Sequence, residues 1–139
     1  MKFKFFEHTA DVGTEAYGRD LNELFENAAL ATSEVMTDTK QIRPSIKKEI
    51  KLENNDLGNL LFDFLDEVIY YKDAEKLLFS KFNVDIKKDK VYKLKAVISG
   101  EKIDTKRHEL RDDVKAVTLY EFELKKSKNG YKARFILDI

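Results

Sequence analysis

The chain has 139 residues, 42% hydrophobic and 37% charged, a length and mixture that fit one globular domain spanning 1–139. Lys plus Arg and Asp plus Glu both number 26, so the net charge is zero. That balance argues against a strong direct grip on nucleic acid, while leaving room for a local basic patch. With no cysteine, disulfides and thiolate zinc sites are excluded, and a metal would have to be held by oxygens or by the two histidines. No apolar run reaches the length of a membrane span, and residues 1–6 mix Lys with Phe over too short a stretch for a signal peptide. A cytoplasmic protein with no membrane partner is the expectation.

In chain order, residues 2–6 read as a short strand and 14–18 as its antiparallel partner. A helix follows, with Asp20 and Glu23 in a capping-box-like start and an apolar stripe through Leu21, Leu24, Phe25, Ala28, Ala29, Val35 and Met36. Residues 45–53 place Ile46, Ile50 and Leu52 on one face of a strand. A second helix starts near Asp56, and its apolar positions cover more than half of its circumference. Such a helix is covered on more than one side, so it is expected between layers.

Beyond Ala74 the period changes to two, predicting long strands over 77–87 and 91–99. Residues 100–113 read as polar and irregular with a short helical turn. Asn129-Gly130 signals a two-residue hairpin turn. That register pairs Lys128 with Tyr131, Leu124 with Phe135, Phe122 with Leu137 and Tyr120 with Ile139, all of the last three apolar.

Four segments stand out for chemistry. The first, HTADVG at 8–13, can position the Asp11 carboxylate at a sheet edge, or form an Asx-type turn in which Asp11 bonds its own backbone. The second is the end of the sequence, ILDI at 136–139. In the hairpin register Asp138 opposes Glu121, two like charges whose conflict a bound cation would remove, and the α-carboxylate of Ile139 adds a third negative group. The third, GEKIDTKRH at 100–108, combines acid, base and imidazole, and is either a solvated loop or part of a site. In the fourth, VKAVT at 114–118, Lys115 is either a snorkelling side chain or a contact for a phosphate or carboxylate. No phosphate-binding loop, dinucleotide glycine signature, nucleophile elbow or HExxH is present. His8 and His108 could join the acids in a hydrolytic metal site, though no pattern requires it.

Together with LFENAAL at 24–30, these segments resemble the archease family, in order and almost end to end. Leu119-Tyr120 departs from the Tyr-His of many members, which bears on any role for position 120. The resemblance implies an α/β (α+β) sandwich of mixed, largely antiparallel sheets packed on two main helices. It also implies a non-catalytic activator of the tRNA-splicing ligase RtcB, promoting its guanylylation and multiple turnover and widening its nucleotide triphosphate choice. The family's metal site maps onto Asp11, Asp138 and the Ile139 carboxylate, oxygen ligands that suit calcium, magnesium or manganese. Lys115 is implied to act in ligase activation. The metal reading requires the strands carrying Asp11 and Asp138 to be neighbours. The rival readings are a general chaperone or adaptor for DNA- or RNA-processing proteins, and a small metal-dependent hydrolase.

Overall fold

A computed structural model of the chain describes residues 1–8 and 10–139. Thr9 and the side chain of His8 lie outside the described residues, and with them the expectation that the His8 imidazole joins the acids. The elements are strand β1 (Phe3–His8), β2 (Asp11–Gly18), helix α1 (Leu21–Met36), β3 (Ile46–Asn54), helix α2 (Leu57–Glu75), β4 (Leu77–Lys88), β5 (Tyr92–Lys102), β6 (Ala116–Ser127) and β7 (Gly130–Asp138). A single 3₁₀ turn, Thr39–Gln41, follows α1.

Both helices begin where an aspartate caps them. Asp20 accepts from the Glu23 N–H at 2.8 Å and Asp56 from the Asn59 N–H at 2.9 Å. The Glu23 carboxylate accepts from the Arg19 N–H, one residue before the cap, so the box is shifted by one. α2 ends on Lys76, whose left-handed φ of 55° turns the chain into β4.

The strands form a four-stranded sheet in the order β1-β2-β7-β6 and a three-stranded sheet in the order β3-β5-β4, antiparallel throughout the described pairings. The helices lie between the two sheets: α1 touches β2 and β4, and α2 touches β6 and β3. This explains the wide apolar face of α2. Leu60, Leu61, Phe64, Leu65, Val68 and Ile69 are all buried, and Phe64 meets Phe25 of α1 at 6.1 Å between ring centroids. α1 also covers the open edge of β4, where Glu26 accepts from the Val84 N–H and Asn22 from the Ile86 N–H. These bonds satisfy ladder groups that an edge would leave unpaired.

The final hairpin departs from the expected register. Its turn is Lys128-Asn129, so Ser127 pairs with Gly130 and Leu124 with Ala133. Gly130 is required by packing as well as by its φ of 143°, since a Cβ there would lie 2.2 Å from the Gly18 carbonyl oxygen. A large bulge then intervenes: β6 advances five residues from Thr118 to Glu123 while β7 advances two, from Ile136 to Arg134. Glu121 takes a φ of 55° within it, and Leu119 and Tyr120 are each 65% exposed. Glu121 therefore does not oppose Asp138, and neither Phe122 with Leu137 nor Tyr120 with Ile139 forms a pair.

Candidate functional site

Where β1 passes into β2, Ala10 has a φ of 59° and His8 pairs with Asp11. Asp11 thus opens β2, and Val12 and Gly13, expected in a loop, are strand residues. Gly13 has no room for a side chain: a Cβ would lie 2.1 Å from the Phe6 ring. On the other side β2 pairs with β7, and Asp11 stands directly opposite Asp138. Register partners project to the same side of a sheet with Cβ atoms about 4.5–5.5 Å apart. The two half-buried carboxylates therefore share one face at one end of the sheet. The acidic residue opposite Asp138 is thus Asp11 and not Glu121. Ile139 packs its side chain against the core, anchoring the chain one residue beyond Asp138.

The third neighbour at this end is β6. Ala116 pairs with Asp138, and the Lys115 N–H donates to the Asp138 carbonyl at 2.8 Å. Lys115 is exposed, while Val114 before it is fully buried. Lys72 of α2 fixes this approach. Its ammonium, buried on the apolar stripe, donates to the Val114 carbonyl at 2.7 Å and to Asp113 at 2.6 Å, and pairs with Asp73 at 2.6 Å. The sequence signal for this clamp is a lysine four residues after Val68 and three after Ile69, on the buried side of α2.

The 100–108 segment is only partly solvated: Lys102 and residues 104–106 are exposed, while Glu101, Arg107 and His108 are tied together. His108 is 5% exposed; its Nδ1 accepts from the Asp104 N–H at 3.0 Å, so Nε2–H is left to donate to Glu101 at 3.1 Å. With both ring nitrogens engaged, His108 is not placed to be a metal ligand. Glu101 also binds Arg107 and accepts from the Arg43 N–H at 2.6 Å. The following backbone is tied to α1, with Arg111 N–H on the Met36 carbonyl and Asp112 N–H on the Val35 carbonyl. This path carries the chain from the end of β5 to Lys115.

A second carboxylate cluster lies farther along the Asp11 face. Glu15, 6% exposed, accepts from Tyr17 at 2.8 Å and pairs with Lys4 at 3.1 Å, Lys132 at 3.3 Å and Arg134 at 3.4 Å. The Arg134 guanidinium sits 4.0 Å over the Phe6 ring. Burial alone would push the Glu15 carboxyl up, but the bonds from Tyr17, Lys4 and Lys132 bring it down to about 2. Hydrogen bonding by Arg107, against the opposing effect of burial and with the Arg43 N–H and His108 adding to it, brings Glu101 down to about 2 as well. Both folded values lie below the ordinary 4.5, so the fold favours the ionised forms. Their stabilisation is complete above about pH 5 and is lost as pH falls from there toward 2. Melting temperature measured against pH should drop in that window. Glu15→Gln and Glu101→Gln should each lower the neutral-pH value and flatten the acid drop; an unchanged profile in both would contradict this assignment.

Comparison with known proteins decides the family. The model of the archease protein family matches residues 3–139. A protein archease of Sulfurisphaera tokodaii is 48% identical over 100% of this chain and 99% of its own length. The chain belongs to the archease family. The archease of Methanothermobacter thermautotrophicus is 46% identical over 99% of this chain and 98% of its own. A solution structure of a Methanobacterium thermoautotrophicum protein superposes with a TM-score of 0.88 at 46% identity, covering 99% of this chain and 98% of that one. The crystal structure of a Thermotoga maritima protein, described as an archease and possible chaperone, gives a TM-score of 0.64 at 20% identity over 98% of this chain and 96% of that one, a likeness of fold alone.

Among the described residues of this archease, no three His, Cys, Asp or Glu side chains gather closely enough to hold a metal ion. Asp11 and Asp138 bring two side-chain carboxylates to that end of the sheet. No helix among the described residues is long and apolar enough to cross a membrane.

Proposed function

We propose that this archease is a non-catalytic, cytoplasmic partner of the tRNA-splicing ligase RtcB, acting in tRNA processing, and that it meets the ligase with the sheet end formed by Asp11, Asp138 and Lys115. The observation that carries the reading is the direct opposition of Asp11 and Asp138 across β2 and β7. Two carboxylates held side by side repel, and a hard cation shared between them turns that repulsion into binding. The donor set is Asp11, Asp138 and the α-carboxylate of Ile139, all oxygens, which fits calcium, magnesium or manganese. When bound, such a cation supplies positive charge for phosphate oxygens. The chain's own residues then have separate tasks. The β2–β7 ladder fixes the spacing of the two carboxylates. The Lys72 clamp and buried Val114 hold the backbone that projects Lys115, whose exposed ammonium suits a phosphate or carboxylate of the partner. In this reading the protein promotes guanylylation of the ligase, resets it for further turnovers and widens its nucleotide choice.

The test is single-turnover guanylylation of RtcB in the presence of wild-type protein or of the Asp11→Ala, Asp138→Ala and Lys115→Ala variants. Each variant should lose most of the stimulation while keeping a wild-type melt. Full stimulation by all three would sink the reading. A second reading, a general chaperone or adaptor for nucleic-acid-processing proteins, draws on the exposed Leu119 and Tyr120 of the β6 bulge. It requires binding to several partners with no dependence on Asp11 or Asp138, which a pull-down with the same variants separates.

A further inference from the structure

The three-stranded sheet has one face on the helices and the other in solvent. On the solvent face, alternate positions of β3, β5 and β4 carry Lys47, Lys51, Lys81, Lys87, Lys93 and Lys95, all exposed. Against these six stand three acids, Glu49, Glu53 and Asp85, a local basic excess on a chain whose net charge is zero. The register sharpens the point. Lys51 lies directly opposite Lys95, and Lys87 directly opposite Lys93, like-charge pairs that cost stability in a free sheet. The acids relieve only part of this: Asp85 lies opposite Lys95 and Glu53 opposite Lys93, Lys87 reaches Asp85 at 3.8 Å and Lys93 reaches Asp89 at 3.6 Å. A shallow hollow of about 320 Å³ opens between the Lys51–Lys95 and Glu53–Lys93 pairs.

We infer that this face binds the phosphate backbone of RNA. Charge and composition choose the class of partner. The centres of protein interfaces are enriched in aromatic residues, Met and Arg and depleted in Lys. This face has one apolar residue, Val97, and no aromatic residue or arginine among its described positions. The same lack of aromatic rings removes base stacking, so the grip is on phosphates and is independent of sequence. Lysine rows about 4.8 Å apart across strands and about 6.8 Å apart along them give a two-dimensional array that a continuous polyanion can cross in more than one direction. The helix layer separates this face from the sheet carrying Asp11 and Asp138, so RNA and a protein partner can be held at once. The choice of RNA rests on the ligase reading; the binding itself does not, and it is measured without the ligase.

Fluorescence anisotropy of a labelled RNA stem-loop titrated with the purified protein tests this. Binding should be weak at physiological salt and should tighten as salt is lowered. The slope of log K against log salt should be about −3, as for about four lysines each neutralising a phosphate. The triple variant Lys51→Glu, Lys93→Glu, Lys95→Glu should lose at least about tenfold in affinity at low salt. A control triple at the exposed tip of the other sheet, Lys125→Glu, Lys126→Glu, Lys128→Glu, should lose less than about twofold. Should the sheet triple fail to melt like wild type, the Lys→Gln version at the same three positions is read instead, with a smaller loss in the same order. Absent binding, binding insensitive to salt, or equal loss in the two triples would overturn the inference. Polyglutamate displacing the RNA as well as unlabelled RNA does would also overturn it, in favour of an acidic protein partner.

Discussion

Asp138→Asn is expected to weaken calcium or manganese binding by about a hundredfold or more, while leaving the metal-free fold as stable as wild type or slightly more so. The opposite signs follow from the register. Asp138 opposes Asp11, so without a cation the two carboxylates repel, at about 0.2–1 kcal/mol for a cross-strand pair. Asparagine keeps the shape and removes the charge. It also keeps the main-chain carbonyl that accepts the Lys115 N–H, so the approach of β6 is undisturbed. With a cation the balance reverses, because a carboxylate ligand has been lost. Calorimetric titration with each metal and thermal melts in a chelator give the two readouts. A marked loss of stability in the chelated variant would show that Asp138 is a structural group and not half of a cation site.

Gly100→Ala is expected to destabilise the protein by about 3 kcal/mol or more, lowering the melting temperature by about 10 °C. Gly100 pairs with Phe79 where β4 skips a residue, between Phe79 and Lys81. A Cβ on Gly100 would lie 1.8 Å from the Leu78 carbonyl oxygen and 2.7 Å from the Phe79 Cα. These are backbone atoms, so no rotamer change relieves the clash, and β4 has to move off β5. The next residue is Glu101, which organises Arg107 and His108 at the start of the path to Lys115. The substitution should therefore also reduce whatever function Lys115 serves, although the two residues lie on different elements. A thermal melt within about 2 °C of wild type would contradict this account of the β4–β5 contact.

Local signals in the sequence were read well where local physics decides the structure. Asp20 and Asp56 cap the two helices as their positions suggested, and the broad apolar girth of α2 correctly placed it between layers. β4 and β5 follow the change of period beyond Ala74. What the alternation could not give is which strand lies beside which. The Glu121–Asp138 opposition was built on an unbroken hairpin, and the bulge at 119–122 is invisible to a period-two reading, because Leu119, Tyr120 and Phe122 continue an apolar pattern that the backbone does not follow. Asn129-Gly130 misled for a related reason: Gly130 is needed for its close approach to Gly18 as well as for its φ, so the turn lies one residue earlier. The acidic pair survived the error because the requirement that Asp11 and Asp138 sit on neighbouring strands came from the ligand set implied by family resemblance. The role of His108 stays open in the sequence because a polar segment gives no local sign that its imidazole is buried. The lysine face was legible residue by residue, but only the register of β5 between β3 and β4 sets Lys51 against Lys95 and Lys87 against Lys93.

The central claim is that the Asp11–Asp138 end of this archease activates an RNA ligase. It is tested most directly by following the guanylylation and RNA joining of RtcB over several turnovers, with and without this protein, in a defined divalent cation. Faster guanylylation and product in excess of ligase, only when the protein is present, is the predicted result. Identical rates and a single turnover in both reactions would contradict it.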